Sequence, residues 1–214
     1  MPERSGFAYP NRLARAFFLT LEDVLGKNGL DALAALANLT AYSQQLPADD
    51  LAREFDFAAF AALCEALEEV YGARGGRGLA LRIGREWFNS GLRDFGILAG
   101  LAHPDFRALP LSRRADISLT ALAKTLTTTS DQRCTLAQQN ATYSWVMLNS
   151  AMAWGRVSDK PVCHVFVGML QGCLHYASEG YEFHVYEQTC SAVNSSDRCV
   201  FIINKKPIGQ LVGG

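Results

Sequence analysis

Four residues in the last third of the chain have the chemistry of a closed metal site: Cys163, Glu187, Cys190 and Cys199. Zinc accepts thiolate sulfur and carboxylate oxygen, favours four donors in a tetrahedron, and releases thiol protons when it binds. Three thiolates and one carboxylate fill that sphere, leaving no open position for an activated water, so the chemistry is structural rather than catalytic. A competing reading is that these cysteines are small hydrophobic core residues, since free cysteine is among the most buried residue types. The usual C-x(2–4)-C knuckle is missing, and spacing alone leaves both readings open.

The elements that must position these residues can be read from the surrounding pattern. Glu187 and Cys190 lie three residues apart in a segment where Tyr181, Phe183 and Val185 alternate with Glu182, His184 and Tyr186, which predicts a strand. Cys199 opens the β-rich run Cys-Val-Phe-Ile-Ile after a turn of Asn194, Ser195, Ser196 and Asp197. Together they predict a hairpin with three candidate ligands near its turn end. Cys163 follows Pro161 at the start of a predicted helix running to about Ser178, where helix-terminal N–H groups favour a thiolate.

Upstream, the pattern is helical. Leu13, Phe17, Leu21 and Val24 have helical spacing after Pro10-Asn11, with an end at Gly26 or Asn28-Gly29. A second helix is predicted over Leu30 to Thr40, then a loop over Gln44 to Asp50, then a helix from Phe57 closed by Gly72. Further helices are predicted over Leu79 to Leu98 and Ser112 to Thr128, with Pro104 and Pro110 between them. From Cys134 onward the grammar changes, and Thr135-Leu-Ala-Gln and Thr142-Tyr-Ser-Trp-Val-Met-Leu read as strands. Helices first and an antiparallel sheet last make an α+β fold. The expectation is a single domain over residues 1–214, with a helical part over 8–130 and the metal-motif region over 134–207.

Composition bounds the function. The 214 residues are 49% hydrophobic and 19% charged, enough for one sizeable core. Net charge is −1 with a sequence pI of about 6.4, so no nucleic-acid partner is indicated. No apolar run is long enough for a membrane span, and Met1 to Tyr9 do not read as a secretory signal. Six cysteines in that context point to a reducing cytoplasm, with Cys64, Cys134 and Cys173 read as buried core.

Other candidates are weaker. The stretch Gly72-Ala-Arg-Gly-Gly-Arg-Gly78 lacks the P-loop lysine and the dinucleotide fingerprint, and reads as a helix–helix connection with solvated arginines. If Arg74 and Arg77 have a role, it is to meet a ligand carboxylate. His164 and His175 are three helical turns apart and so share a face. With His184 they are candidates for ligand contact or for ordinary surface and core positions, and His164 is the substitute metal ligand should Cys163 face away.

The arrangement Pro161-Val-Cys163, Val167-Gly-Met-Leu-Gln-Gly172, Glu187-x-x-Cys190-x-Ala192 and Asp197-Arg-Cys199-x-Phe201-x-Ile203 resembles the vinyl-4-reductase domain family. That family includes the bacteriochlorophyll-biosynthesis protein named a 4-vinyl reductase and the sensor domains of phenol-responsive activators. The resemblance implies that Cys163, Glu187, Cys190 and Cys199 hold zinc. The motifs Tyr71-Gly-x-Arg-Gly-Gly-Arg-Gly78 and Trp154-Gly-Arg-x-Ser-Asp159 resemble bacterial stand-alone members.

By the same resemblance the fold is similar to Golgi-transport tethering subunits and haem-based nitric-oxide sensors, where helices pack on a sheet around an apolar cavity. Trp87, Phe88, Phe106, Trp145, Phe166, Met169, Leu170 and Tyr176 are candidates to line that cavity, each also readable as plain core. The implied function is binding of an aromatic or tetrapyrrole-like molecule as carrier or sensor, with a homodimer or a protein partner in the background. The alternatives are the reductase itself and an assembly factor. A reductase needs a hydride donor, and no strand–GxGxxG–helix unit is present to bind one.

Overall fold

A short strand, β1 (Ala8–Pro10), pairs antiparallel with β2 (Arg53–Asp56) and frames the first helix, α1 (Asn11–Leu36). The computed structural model describes residues 3–93, 95–194 and 196–208. Within α1 the backbone breaks at Gly26, whose φ of 74° and ψ of 165° suit glycine and strain other residues. The predicted end at Gly26 is therefore a kink. The predicted second helix is the continuation of α1 and stops at Leu36, and α2 (Thr40–Gln44) is a separate short turn of helix.

The next helix, α3 (Phe57–Trp87), repeats the device at Gly72 (φ 71°, ψ 162°). Only that glycine turns the chain; Ala73 to Gly78 are helical, which corrects the predicted connection. Asp56 caps α3 by accepting the N–H of Ala58 at 2.8 Å. The helix predicted to run to Leu98 ends at Trp87, passes through a π turn (Phe88–Leu92), and resumes as a 3-10 stretch (Gly96–Ala102). Gly91 fits there because a Cβ would lie 2.7 Å from the Cβ of Ala16, so α1 closes onto this turn. After α4 (Pro104–Arg107) comes α5 (Leu111–Thr129), where Ser112 to Thr128 was expected.

The remaining elements are β3 (Arg133–Gln138), β4 (Thr142–Leu148), α6 (His164–Ser178), β5 (Phe183–Thr189), α7 (Ser191–Asn194) and β6 (Arg198–Pro207). The four strands form one antiparallel sheet in the order β3-β4-β6-β5. Alternation puts Trp145 and Met147, Val185 and Glu187, and Cys199 and Phe201 on its buried face.

Helix α6 crosses that face with Phe166 in ring contact with Trp145 and Phe201, at centroid separations of 5.4 and 4.9 Å. It is apolar nearly all round because its opposite side packs on α3. Backbones touch at this crossing: a Cβ on Gly84 would sit 1.9 Å from the Val165 carbonyl oxygen, and one on Gly168 2.1 Å from that of Leu81. Arg85 then ties three elements together, reaching Gln171 of α6 at 3.0 Å and Glu182, just before β5, at 2.8 Å. The start of α6 meets the far half of β5 where the Cys163 N–H donates to Glu187 Oε2 at 2.9 Å, and that is where the candidate ligands lie.

Candidate metal centre

Each of the four predicted ligands is delivered by the end of an element. Cys163 is the residue preceding α6, and its carbonyl accepts the N–H groups of Phe166 and Val167. Glu187 lies on β5 two residues beyond Val185, so the strand's alternation turns it inward. Cys190 follows the last residue of β5, and Cys199 is the second residue of β6, with Met147 of β4 as its cross-strand partner. The single turn α7 follows Cys190 and ends at Asn194, where the predicted turn was expected to begin, and Ser195 lies outside the described residues.

The structure brings the four together: one donor atom from each lies within 4.8 Å of all the others. The sulfurs of Cys163 and Cys199 are 3.6 Å apart. A disulfide would need about 2.05 Å, whereas two zinc–sulfur bonds of about 2.3 Å at a tetrahedral angle place sulfurs roughly 3.8 Å apart. All six cysteines are free thiols.

Polar groups around the cluster hold the donors in place. Ser150 Oγ lies 3.3 Å from Cys163 Sγ, the Ser191 N–H donates to Cys199 Sγ at 3.3 Å, and the Cys163 N–H donates to Glu187 Oε2 at 2.9 Å. Glu187 Oε1 is buried and has no hydrogen-bond partner among the described residues. A carboxylate oxygen left so is costly unless a cation completes it.

Electrostatics give the same answer. Burial, then the negative charge of Cys190, pushes the Glu187 carboxyl up to about 8. Burial, then contact with Cys190 and Cys199, pushes the Cys163 thiol well up. The thiols of Cys163 and Cys199 stabilise Cys190 as thiolate and hold its pKa far below the ordinary value. So close a set of acids shares little negative charge by itself, and a divalent cation is what lets all four ionise together.

The remaining candidates fall elsewhere. Cys163 faces the cluster, so His164 is not needed as a ligand; it is half-buried, on the wall of an adjoining groove. His175 is on the surface, 3.1 Å from Glu182, and His184 and His103 are exposed. Cys64, Cys134 and Cys173 are buried and apart from the cluster, as expected. Trp87, Phe88, Trp145, Phe166, Met169 and Leu170 are fully buried, and Tyr176 is partly so. Trp87 packs on Phe17 and Phe60, Trp145 on Phe166, and Phe88 on Tyr176, within one continuous core that also holds Phe106.

Sequence reasoning missed Ser150 and Ser191, the hydroxyl partners of Cys163 and Cys199. Their one signal was weak: Asn149, just before Ser150, has φ of 49°, the left-handed conformation that asparagine tolerates after β4. It also missed that Arg74 and Arg77 share a groove of about 560 Å³ with Ser158, Asp159, His164 and Glu187.

The chain matches no protein-family model and no curated protein. Solved structures do match its fold. An Fe(II) unliganded H-NOX protein from K. algicida aligns with a TM-score of 0.58 at 13% identity, covering 96% of this chain and 100% of that one. A structure from a study of heme distortion in the H-NOX family gives 0.53 at 14%, with the same coverage. An oxygen-binding H-NOX domain related to soluble guanylate cyclases gives 0.50 at 14%, again over 96% and 100%.

Haem needs an axial donor, most simply a histidine, facing a flat slot. None of the four histidines here is buried, and ring contacts fill the space between α6 and the sheet. These residues do not fit a histidine-ligated haem in that interior. At such identities the likeness shows the architecture, and it is the expected one: helices on an antiparallel sheet, as in H-NOX.

Proposed function

We propose that this chain is a zinc-stabilised small-molecule-binding protein of the vinyl-4-reductase domain type. Cys163, Glu187, Cys190 and Cys199 hold one zinc ion, which pins the β5–β6 hairpin to the start of α6. The observation that carries this is the convergence of the four donors within 4.8 Å around a buried carboxylate oxygen with no other partner among the described residues. Four protein donors saturate the ion, so its part is to hold the fold together.

The ligand is an apolar aromatic or tetrapyrrole-like molecule, carried or sensed rather than transformed, with a place in (bacterio)chlorophyll metabolism and a homodimer as the working assembly. Support comes from the motif resemblance and from a fold shared with H-NOX domains. No helix among the described residues is long and apolar enough to cross a membrane, and the proposed setting is the cytoplasm.

The test is to purify the native protein, measure its metal, and titrate it with a porphyrin in the presence of NADPH. About one zinc per chain, with porphyrin absorbance shifting and NADPH unconsumed, is the expected result. Steady NADPH oxidation with a vinyl-bearing tetrapyrrole would instead make the chain a reductase.

A further inference from the structure

Two motifs that the metal centre does not use meet in the groove beside it. Arg74 and Arg77 come from the glycine-rich helical stretch of α3 just past the Gly72 kink, and with Leu81 they follow i, i+3, i+7 spacing, so all three face the same way. Ser158 and Asp159, from the Trp154–Asp159 motif, line the same groove. The floor is apolar, made by Val162, Val167 and Val185.

Glu68 and Asp159 of the groove have cationic partners, Glu187 belongs to the metal cluster, and the two arginines are unpaired among the described residues. Glu68 pairs with Arg156 at 2.9 Å, Asp159 has Lys160 at 3.9 Å, and Glu187 accepts from the Cys163 N–H. Arg74 and Arg77 make no ion pair or hydrogen bond among the described residues. Two unpaired guanidinium groups over an apolar floor match a molecule with carboxylates at one end and a hydrophobic body at the other, because the guanidinium fork takes a carboxylate bidentately.

We infer that this groove is the chain's ligand site, where Arg74 and Arg77 bind the carboxylates of an apolar organic acid whose body lies on Leu81, Val167 and Val185. The inference rests on the small-molecule-binding reading above and locates that ligand outside the packed interior.

The experiment compares mesoporphyrin, a dicarboxylic acid, with its dimethyl ester, by tryptophan-fluorescence quenching of zinc-loaded protein in the same dilute detergent. The native protein binds the diacid at least about tenfold more tightly than the ester. An Arg74→Gln/Arg77→Gln double variant loses that preference, leaves ester binding unchanged, and keeps its zinc. Equal binding of acid and ester by the native protein, or undiminished diacid binding by the double variant, overturns the groove assignment while leaving the binding reading intact. No binding of either porphyrin overturns both. Loss of zinc from the double variant assigns the arginines to the charge balance of the metal centre, and the groove proposal falls.

Discussion

Glu187 is the residue that separates the metal reading from the core reading. Cysteines are at home in an apolar interior, but a carboxylate on the buried side of β5 with an unpartnered oxygen is not. Its type and its spacing to Cys190 were legible in the sequence, as was the inward phase of Phe183 and Val185 that carries it inside. Ser150 and Ser191 were not, because hydrogen-bond donors to a ligand obey no fixed spacing and serine is common everywhere. The account predicts that Cys190→Ala loses zinc and several kcal/mol of stability. Cys173→Ala, which empties an equally buried thiol position away from the cluster, keeps full zinc content and loses only the usual cost of a small cavity, about 1 kcal/mol. Elemental analysis and urea melts of both variants check this pair.

Among the elements, α3 and α6 cross with their backbones in direct contact. The sequence showed two helices, but not that Gly84 and Gly168 let their backbones meet, since a lone glycine in a helical pattern reads as a propensity cost until its neighbour is known. Gly168→Ala therefore forces a methyl group against the Leu81 carbonyl and is expected to cost about 3 kcal/mol or more, seen as a lowered denaturation midpoint. The kinks at Gly26 and Gly72 were visible as breaks but misread as helix ends, because sequence marks where a helix stops being regular and not whether it resumes.

At the head of α3, burial pushes the Asp56 carboxyl up, and the N–H groups of Ser5 and Ala58 outweigh that and hold it below the ordinary value. A lowered folded-state pKa means its contribution is present above the unfolded carboxylate range and is lost as pH falls through the folded value. Asp56→Ala is expected to cost about 1 kcal/mol at neutral pH and to narrow that acid-side loss, as thermal melts across pH will show.

For the whole molecule, the four strands of the C-terminal sheet and the helix inserted before β5 were legible from periodicity, whereas the short β1–β2 pair within the helical part and the single turn α7 were not. Nor was the composition of the interior, since Trp87, Trp145 and Phe166 were candidates for a cavity wall although each singly read more readily as plain core. The structure packs them in ring contact, and a groove lined by charged residues adjoins the metal cluster at Glu187. A zinc ion there would join the start of α6 to β5 and β6, so chelation should loosen the sheet as a unit.

The most direct measurement of this claim is zinc K-edge absorption spectroscopy on the purified native protein, with metal content determined on the same sample. The account predicts about one zinc per chain with three sulfurs near 2.3 Å and one oxygen near 2.0 Å. A metal-free protein that melts at the same temperature with or without added zinc, or a zinc shell holding no sulfur, would contradict it.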